Sequence, residues 1–273
     1  LRPDALRQGV FTETLQAIAG DTLAKEISFD VLTQRKHADD QGFALAPLKD
    51  ARLVFASESK QRQRLDEAKL KRITGGNEVH CAFKHKDFFS YRPTYTVWMT
   101  SNFDVNADPD DDAVWGRLRL ISFPNSFLGN EDTKLKETMR RKDVLEGVLA
   151  WAVDGAIYWN ALHDKGMRIG EVSGMASKKQ ALRNALDHVG EWATECLADE
   201  EGSIALYSDA YRSYRHWCKD NGVSPKYKNG FSDSLRAKGY EIKKRSVRVA
   251  GKPRKKTYIF DVYLDPDFVP SDR

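Results

Sequence analysis

The sequence predicts an α/β chain in two parts: a larger core in which strands and helices alternate, then a small basic domain of helices closed by a β-hairpin. Three observations predict it. Short β-branched and aromatic runs alternate with helically spaced segments as far as Pro124. The stretch "DKGMRIGEVSGMAS" at 164–177 then loses its periodicity in Gly, Met and Ser, which marks a boundary. Beyond it, "IKKRSVRVAGKPRKKTY" at 242–258 carries eight Lys or Arg and no acid. Cations that dense are the footprint of a surface for phosphate backbones, with a solvated surface hairpin as the plainer reading.

Taken in order, "VFTETLQAIAG" at 10–20 spaces Phe11, Leu15, Ile18 and Ala19 as a helix, with Gly20 as its stop. "ARLVFASE" at 51–58 is a short buried strand that ends on a carboxylate. "RLDEAKLKRITGG" at 64–76 is an amphipathic helix ended by paired glycines, and "VHCAFKHKDFFSYRP" at 79–93 a β-hairpin with a basic tip. Thr94–Met99 is a strand running into Thr100, Ser101 and Asn102, then an acidic loop with Arg117 and Arg119 beyond it. "LRLISFP" reads as a further strand ended by Pro124. From Lys134 to His163 the spacing is helical, with Trp151 and Trp159 expected in the core. After the boundary, "LDHVGEWATECLA", "YSDAYRSYRHWCKDNG" and "KNGFSDSLRAKGY" are helices, and the basic hairpin finishes in "TYIFDVYL". Three short helices followed by a hairpin make a winged-helix pattern.

Composition bounds the rest. With 273 residues, 41% hydrophobic and 31% charged, the chain has material for a globular core. No apolar run approaches the roughly 20 residues of a membrane span, so no membrane partner is expected. The N-terminus lacks the succession of a signal peptide. Three widely spaced cysteines suit a reducing cytoplasm, and neither they nor the six histidines have zinc-ligand spacing.

The polar residues at successive strand ends describe a site along one edge of a sheet. Glu58 offers a carboxylate to polarise a water or help hold a metal, Asn102 an amide to orient that water, and Arg117 a charge to stabilise a transferring phosphoryl group. Each has a plainer reading as an exposed glutamate, a strand-capping asparagine or a surface arginine.

Together, "LKDARLVFASE", "LDEAKLKRITGG", "FKHKDFFSYRPTYTVWMTSN" and "DDAVWGRLRLISFP" resemble the superfamily III helicase domain of phage, plasmid and poxvirus primase-helicases, in motif order and spacing over residues 10–125. The resemblance implies a P-loop NTPase (AAA+-like) core over 1–165, a linker at 166–177 and a winged-helix DNA-binding domain over 178–273. It implies ATP and Mg2+ as cofactors, a homo-oligomeric ring, a hexamer, and single-stranded DNA in the channel with duplex DNA at the wing. It also implies a primase domain or subunit as partner, and the cytoplasm of a bacterial host as location. Position by position, Glu58 matches the Walker B carboxylate and a metal ligand, and Asn102 the sensor amide. Arg117 matches the arginine finger that reaches a neighbouring subunit's nucleotide, with Arg119 the weaker candidate. The helix bearing Lys71 with Gly75-Gly76 matches the segment leading into the hairpin, and Lys84, His85 and Lys86 match the hairpin tip that grips single-stranded DNA. At the wing, the residues expected on DNA are Lys243, Lys244, Arg245, Arg248, Lys252, Arg254, Lys255 and Lys256.

One stretch departs from the family. A phosphate-binding loop ending in Gly-Lys-Ser/Thr should precede the helix at 10–20, but Arg7, Gln8 and Gly9 stand there, so the phosphate-binding lysine and the magnesium-holding hydroxyl have no counterpart. Arg7 replaces part of the charge and nothing replaces the glycine cradle. Two functions therefore stay open: a DNA helicase-type ATPase of replication, inactive as the sequence stands, and a non-catalytic DNA-binding or assembly module that keeps the ring fold and the winged helix. A transcription regulator built on the winged helix alone leaves residues 10–125 unexplained.

Overall fold

The computed structural model describes residues 4–34, 42–57, 63–125, 132–167, 169–249 and 252–270, and of 4–8, 248–249 and 252 the backbone only. The chain divides into two compact units, residues 1–182 and 183–273. The architecture is mixed α/β with small sheets.

Unit 1 runs α1 (Asp4–Leu23), β1 (Ala24–Ser28), β2 (Leu53–Ser57), α2 (Glu67–Thr74), β3 (Val79–Ala82), β4 (Phe88–Tyr91), β5 (Thr96–Thr100), α3 (Asp112–Trp115), α4 (Leu135–Thr138), α5 (Lys142–His163) and α6 (Ser173–Leu186). α6 crosses the division. β1, β2 and β5 form a parallel sheet in that order, in register from Leu53↔Thr96 to Ser57↔Thr100. The central strand buries Val54, Phe55 and Ala56 in succession, as a parallel strand covered on both faces does. At its C-terminal end the Ser57 and Thr100 hydroxyls meet at 2.9 Å. α1 breaks at Gly20 (φ 65°, ψ 171°), the residue read as its stop.

α2 is capped by Asp66, whose carboxylate accepts from the Lys69 amide, and it buries Leu70 and Ile73. Beyond it β3 and β4 pair antiparallel from Val79↔Tyr91 to Ala82↔Phe88. The inner face of this hairpin carries buried Val79, Cys81 and Tyr91. The Tyr91 hydroxyl donates to the Leu45 carbonyl at 2.8 Å. Gly42 (φ +76°) lies so close beneath β3 that a Cβ there would stand 2.9 Å from the His80 carbonyl oxygen.

Three expectations are corrected. "LRLISFP" forms no strand: residues 118–124 have no ladder partner. Phe123 instead meets Phe11 of α1 at 6.1 Å, and Phe11 meets Trp98 of β5 at 5.6 Å. Side-chain packing thus holds the segment where a ladder was expected. The helix expected over 134–163 is two helices, α4 and α5. Trp151 and Trp159 are not core residues, at 63% and 46% exposed. α5 carries apolar residues on all sides, so its spacing identifies a helix without supplying a partner to cover it. β1, whose "AKEIS" lacks an apolar run, was not anticipated.

Unit 2 runs α7 (His188–Cys196), β6 (Leu197–Leu206), α8 (Tyr207–Asp220), α9 (Lys228–Ala237), β7 (Ile242–Val249) and β8 (Lys252–Leu264). The sheet is antiparallel in the order β6–β8–β7. Its core joins Trp192, Tyr214, Phe231, Leu235 and Ile259. Tyr214 and Phe231 stack at 4.5 Å, and the Trp192 indole donates to the Ser213 hydroxyl. β6 is an addition to the expected elements; its acidic "ADEEG" carries a register shift at which the Gly202 amide donates to Asp261. Among the described residues no helix is long and apolar enough to cross a membrane.

Candidate nucleic-acid interface

The β3–β4 hairpin turns through Phe83-Lys84-His85-Lys86, closed by the Lys86 amide donating to the Phe83 carbonyl at 3.0 Å. His85 takes a left-handed backbone (φ 63°), which non-glycine residues adopt chiefly at tight turns. Lys84, His85 and Lys86 are all exposed. Phe83 and Phe88 flank this basic tip, 45% and 53% exposed. Phe88 stacks on the His80 imidazole at 4.9 Å and 9°, and the Ser90 hydroxyl bonds to His80 Nδ1 at 3.2 Å. On the other face Phe83 stacks on Phe89 at 5.7 Å, with the Lys49 ammonium 5.6 Å from the Phe89 ring centre. The sequence reading identified the cations and missed the aromatics; "FKHKDF", one phenylalanine on each side of the tip, was the available signal.

In unit 2 the basic hairpin is β7–β8. Its register sets Lys244 opposite Thr257, Arg245 opposite Lys256, Ser246 opposite Lys255 and Val247 opposite Arg254. Lys243, Lys244, Arg245, Arg254, Lys255 and Lys256 are exposed, and Lys243 pairs with Glu241. Arg248 and Lys252 stand at the distal ends of the two strands. Like charges directly opposite one another repel across a ladder, so Arg245 opposite Lys256 gives this hairpin an electrostatic demand that an anion relieves.

Asn102 and Arg117 come together on one cavity of about 810 Å³ in unit 1, which also takes in Arg119, Phe11 and the length of β5. Asn102 lies in a turn tied by Ser101, whose hydroxyl accepts from the Phe103 amide at 2.8 Å. The Trp98 indole N–H is buried on this cavity with no hydrogen-bond partner among the described residues. Arg117 donates to the Ala113 carbonyl at 2.5 Å, and Arg119 to the Gly116 and Leu118 carbonyls at 3.0 Å. Glu58 lies outside the described residues.

The acidic loop that leads to the arginines is built as a clamp. Arg64 meets Glu67 at 3.1 Å and Asp108 at 3.4 Å. Glu67 accepts from the Asp108 amide, and the Trp115 indole donates to the Asp108 carbonyl. Lys71 meets Asp111 at 2.8 Å. Burial alone would raise the Asp111 carboxyl, but the hydrogen bond from Lys71 and those from the Val114 and Ala113 amides hold it below its ordinary value. Among the described residues no group of three or more His, Cys, Asp or Glu is placed to hold a metal.

Arg7, Gln8 and Gly9 lie within α1, Arg7 closing its first turn and Gln8 and Gly9 beyond it. Backbone amides at such positions are engaged in the helical ladder, whereas a phosphate cradle needs consecutive amides left open. Gly9 also has the Glu13 carboxylate beside it, 3.8 Å from where a Cβ would stand. These three residues do not fit a nucleotide phosphate.

Two families match the chain. Residues 8–117 match a family of unknown function, DUF5906, and residues 185–267 match "Poxvirus D5 protein-like". Among curated proteins, "Putative helicase 022R" of Frog virus 3 is 23% identical over 77% of this chain and 23% of its own length. "Putative primase C962R" of African swine fever virus is 21% identical over 75% of this chain and 23% of its own length. "Putative helicase V13" of Sputnik virophage is 26% identical over 47% and 17%. The chain thus spans under a quarter of the length of these relatives. Among solved structures, the apo A form of the NrS-1 C-terminal region is 12% identical, with a TM-score of 0.43 over 93% of this chain and 64% of that one. The family and sequence matches support the resemblance to superfamily III primase-helicases.

Proposed function

We propose that this chain is the DNA-engaging part of a replication helicase-primase, with single-stranded DNA held by the β3–β4 hairpin and duplex backbone by the β7–β8 hairpin. The observation that carries it is one exposed basic hairpin in each unit, Lys84-His85-Lys86 in the first and the Arg245–Lys256 cluster in the second. The relatives named as viral helicases and primases support a replication role. The order α7–β6–α8–α9–β7–β8, with β8 central, supports a winged helix in unit 2. The parallel β1–β2–β5 sheet, with Asn102 and Arg117 on one cavity, supports an AAA+-like core whose natural state is a ring.

In this reading the residues bind and position. Cations on both hairpins neutralise phosphates, and the Lys71–Asp111 contact ties α2 to α3, which ends just before Arg117. Arg7, Gln8 and Gly9 form no phosphate-binding loop, so this reading assigns them no hold on ATP or Mg2+. The test is fluorescence anisotropy of the whole chain with single-stranded and duplex oligonucleotides across a salt series. Binding of both that weakens steeply with salt is expected. Absence of binding at low salt removes the proposal.

A further inference from the structure

The hairpin of unit 1 has a second kind of group at its tip that phosphate binding leaves unused. Phe83 and Phe88 bracket Lys84-His85-Lys86, and both leave about half their surface in solvent. A lone exposed phenylalanine needs no explanation. Here Phe88 is already stacked nearly parallel on His80, so it offers a preassembled flat π-surface at the root of a basic turn. The two rings lie on opposite faces of the hairpin: Phe88 shares its face with His80 and Ser90, and Phe83 packs on Phe89. His80 is held in turn by Ser90, and the turn geometry is set by the left-handed His85.

We infer that the His80–Phe88 stack, with Phe83 across the tip, is a nucleobase-stacking platform for single-stranded DNA. This rests on the reading of the hairpin as a DNA grip and names what it takes hold of beyond phosphate. Charge and ring divide the work. Lys84 and Lys86 follow the backbone, and the rings take unstacked bases, which every base supplies regardless of sequence. Duplex DNA keeps its bases stacked inside, so the platform favours single strands.

The experiment uses the full chain with Phe88→Leu, which keeps apolar bulk and removes the ring, and Phe88→Trp, which restores a ring. The site is exposed, and thermal melts verify folding. Phe88→Leu is expected to weaken binding of a thymidine oligomer about tenfold, with an unchanged salt slope because the phosphate contacts remain. Phe88→Trp recovers the affinity. On an abasic oligomer of equal length, the wild-type chain and Phe88→Leu bind alike. An oligomer carrying 2-aminopurine changes its fluorescence on binding the wild-type chain and not on binding Phe88→Leu. Wild-type affinity and wild-type 2-aminopurine response from Phe88→Leu overturn the platform while leaving the hairpin as a phosphate grip. A wild-type chain that binds no single-stranded DNA at low salt overturns both.

Discussion

Lys71 and Asp111 stand 40 residues apart in the chain and meet at 2.8 Å, joining α2 to α3, the short helix that ends just before Arg117. Asp111 also caps that helix by accepting from the Val114 amide. Lys71→Ala is therefore expected to destabilise the chain by about 1 kcal/mol, a figure kept low because Lys71 is itself part-exposed and screened by water. Asp111→Asn tests the sign with pH. The folded carboxyl sits below its unfolded value of about 3.9. Its stabilisation is present above that pH and is lost as the pH falls through the folded value. Urea melts should show the wild-type chain losing stability below about pH 4, and Asp111→Asn losing less over the same interval.

Gly42 supports the hairpin from beneath. Its positive φ and the 2.9 Å approach to the His80 carbonyl exclude a side chain on two separate grounds. Gly42→Ala should cost about 1–3 kcal/mol. Faster amide exchange in β3 and β4, with β7 and β8 unaffected, is the expected pattern.

How much of this was legible in sequence depends on whether the signal was local. β2, the hairpin at 79–93, and helices α2, α8 and α9 announce themselves by periodicity and glycine stops, and they formed. β1 escaped notice because "AKEIS" owes its place to pairing with β2 rather than to its own composition. Leu118–Pro124 has strand composition, but a ladder needs a partner that no local pattern supplies. Trp151 and Trp159 mark a helix correctly and a core wrongly, since burial belongs to the neighbour as much as to the residue. At the candidate site, the cations of both hairpins were readable from residue type, whereas the meeting of Asn102 and Arg117 on one cavity was not, since the resemblance sends Arg117 to a neighbouring subunit. The Lys71–Asp111 clamp and the His80–Phe88 stack were not, because both depend on which faces the fold brings together.

The hairpin tip should contribute salt-dependent affinity. Lys84→Ala with Lys86→Ala removes two exposed cations from the turn. The slope of log affinity against log salt for single-stranded DNA should fall by about 1.4, at ~0.7 per phosphate contact. Melts of the double variant should match the wild-type chain. An unchanged isotherm from a folded double variant takes the hairpin out of the interface.

At the wing, affinity and stability should move in opposite directions. Arg245 faces Lys256 across the ladder, and like charges so placed repel by a few tenths of a kcal/mol up to about 1. Arg245→Ala with Lys256→Ala should weaken duplex binding to a similar extent for unrelated sequences, because phosphate contacts carry no base information. The same variant should melt no lower than the wild-type chain. Strong loss for one sequence alone would assign base reading to these residues instead.

The last expectation concerns nucleotide turnover. Phosphoryl transfer depends mostly on holding the phosphates in line before neighbouring groups act. Asn102 and Arg117 are gathered on one cavity, but Arg7, Gln8 and Gly9 are helical and form no cradle. Partners in place cannot act on a substrate that is not held, so the 273-residue chain should release phosphate from ATP at background rate, with or without DNA. β5 is the edge of its sheet among the described residues, and the cavity runs along it. A strand added there has an open row of backbone groups to pair with. Joining an apolar strand and a Gly-Lys-Ser loop ahead of α1 should therefore raise turnover well above background. Arg117→Ala in that extended chain should then lower turnover by at least tenfold, the scale of removing a charge that stabilises the transition state. Steady-state phosphate release on the three proteins separates the outcomes. Robust turnover by the unextended chain would mean that the nucleotide is held by residues other than 7–9.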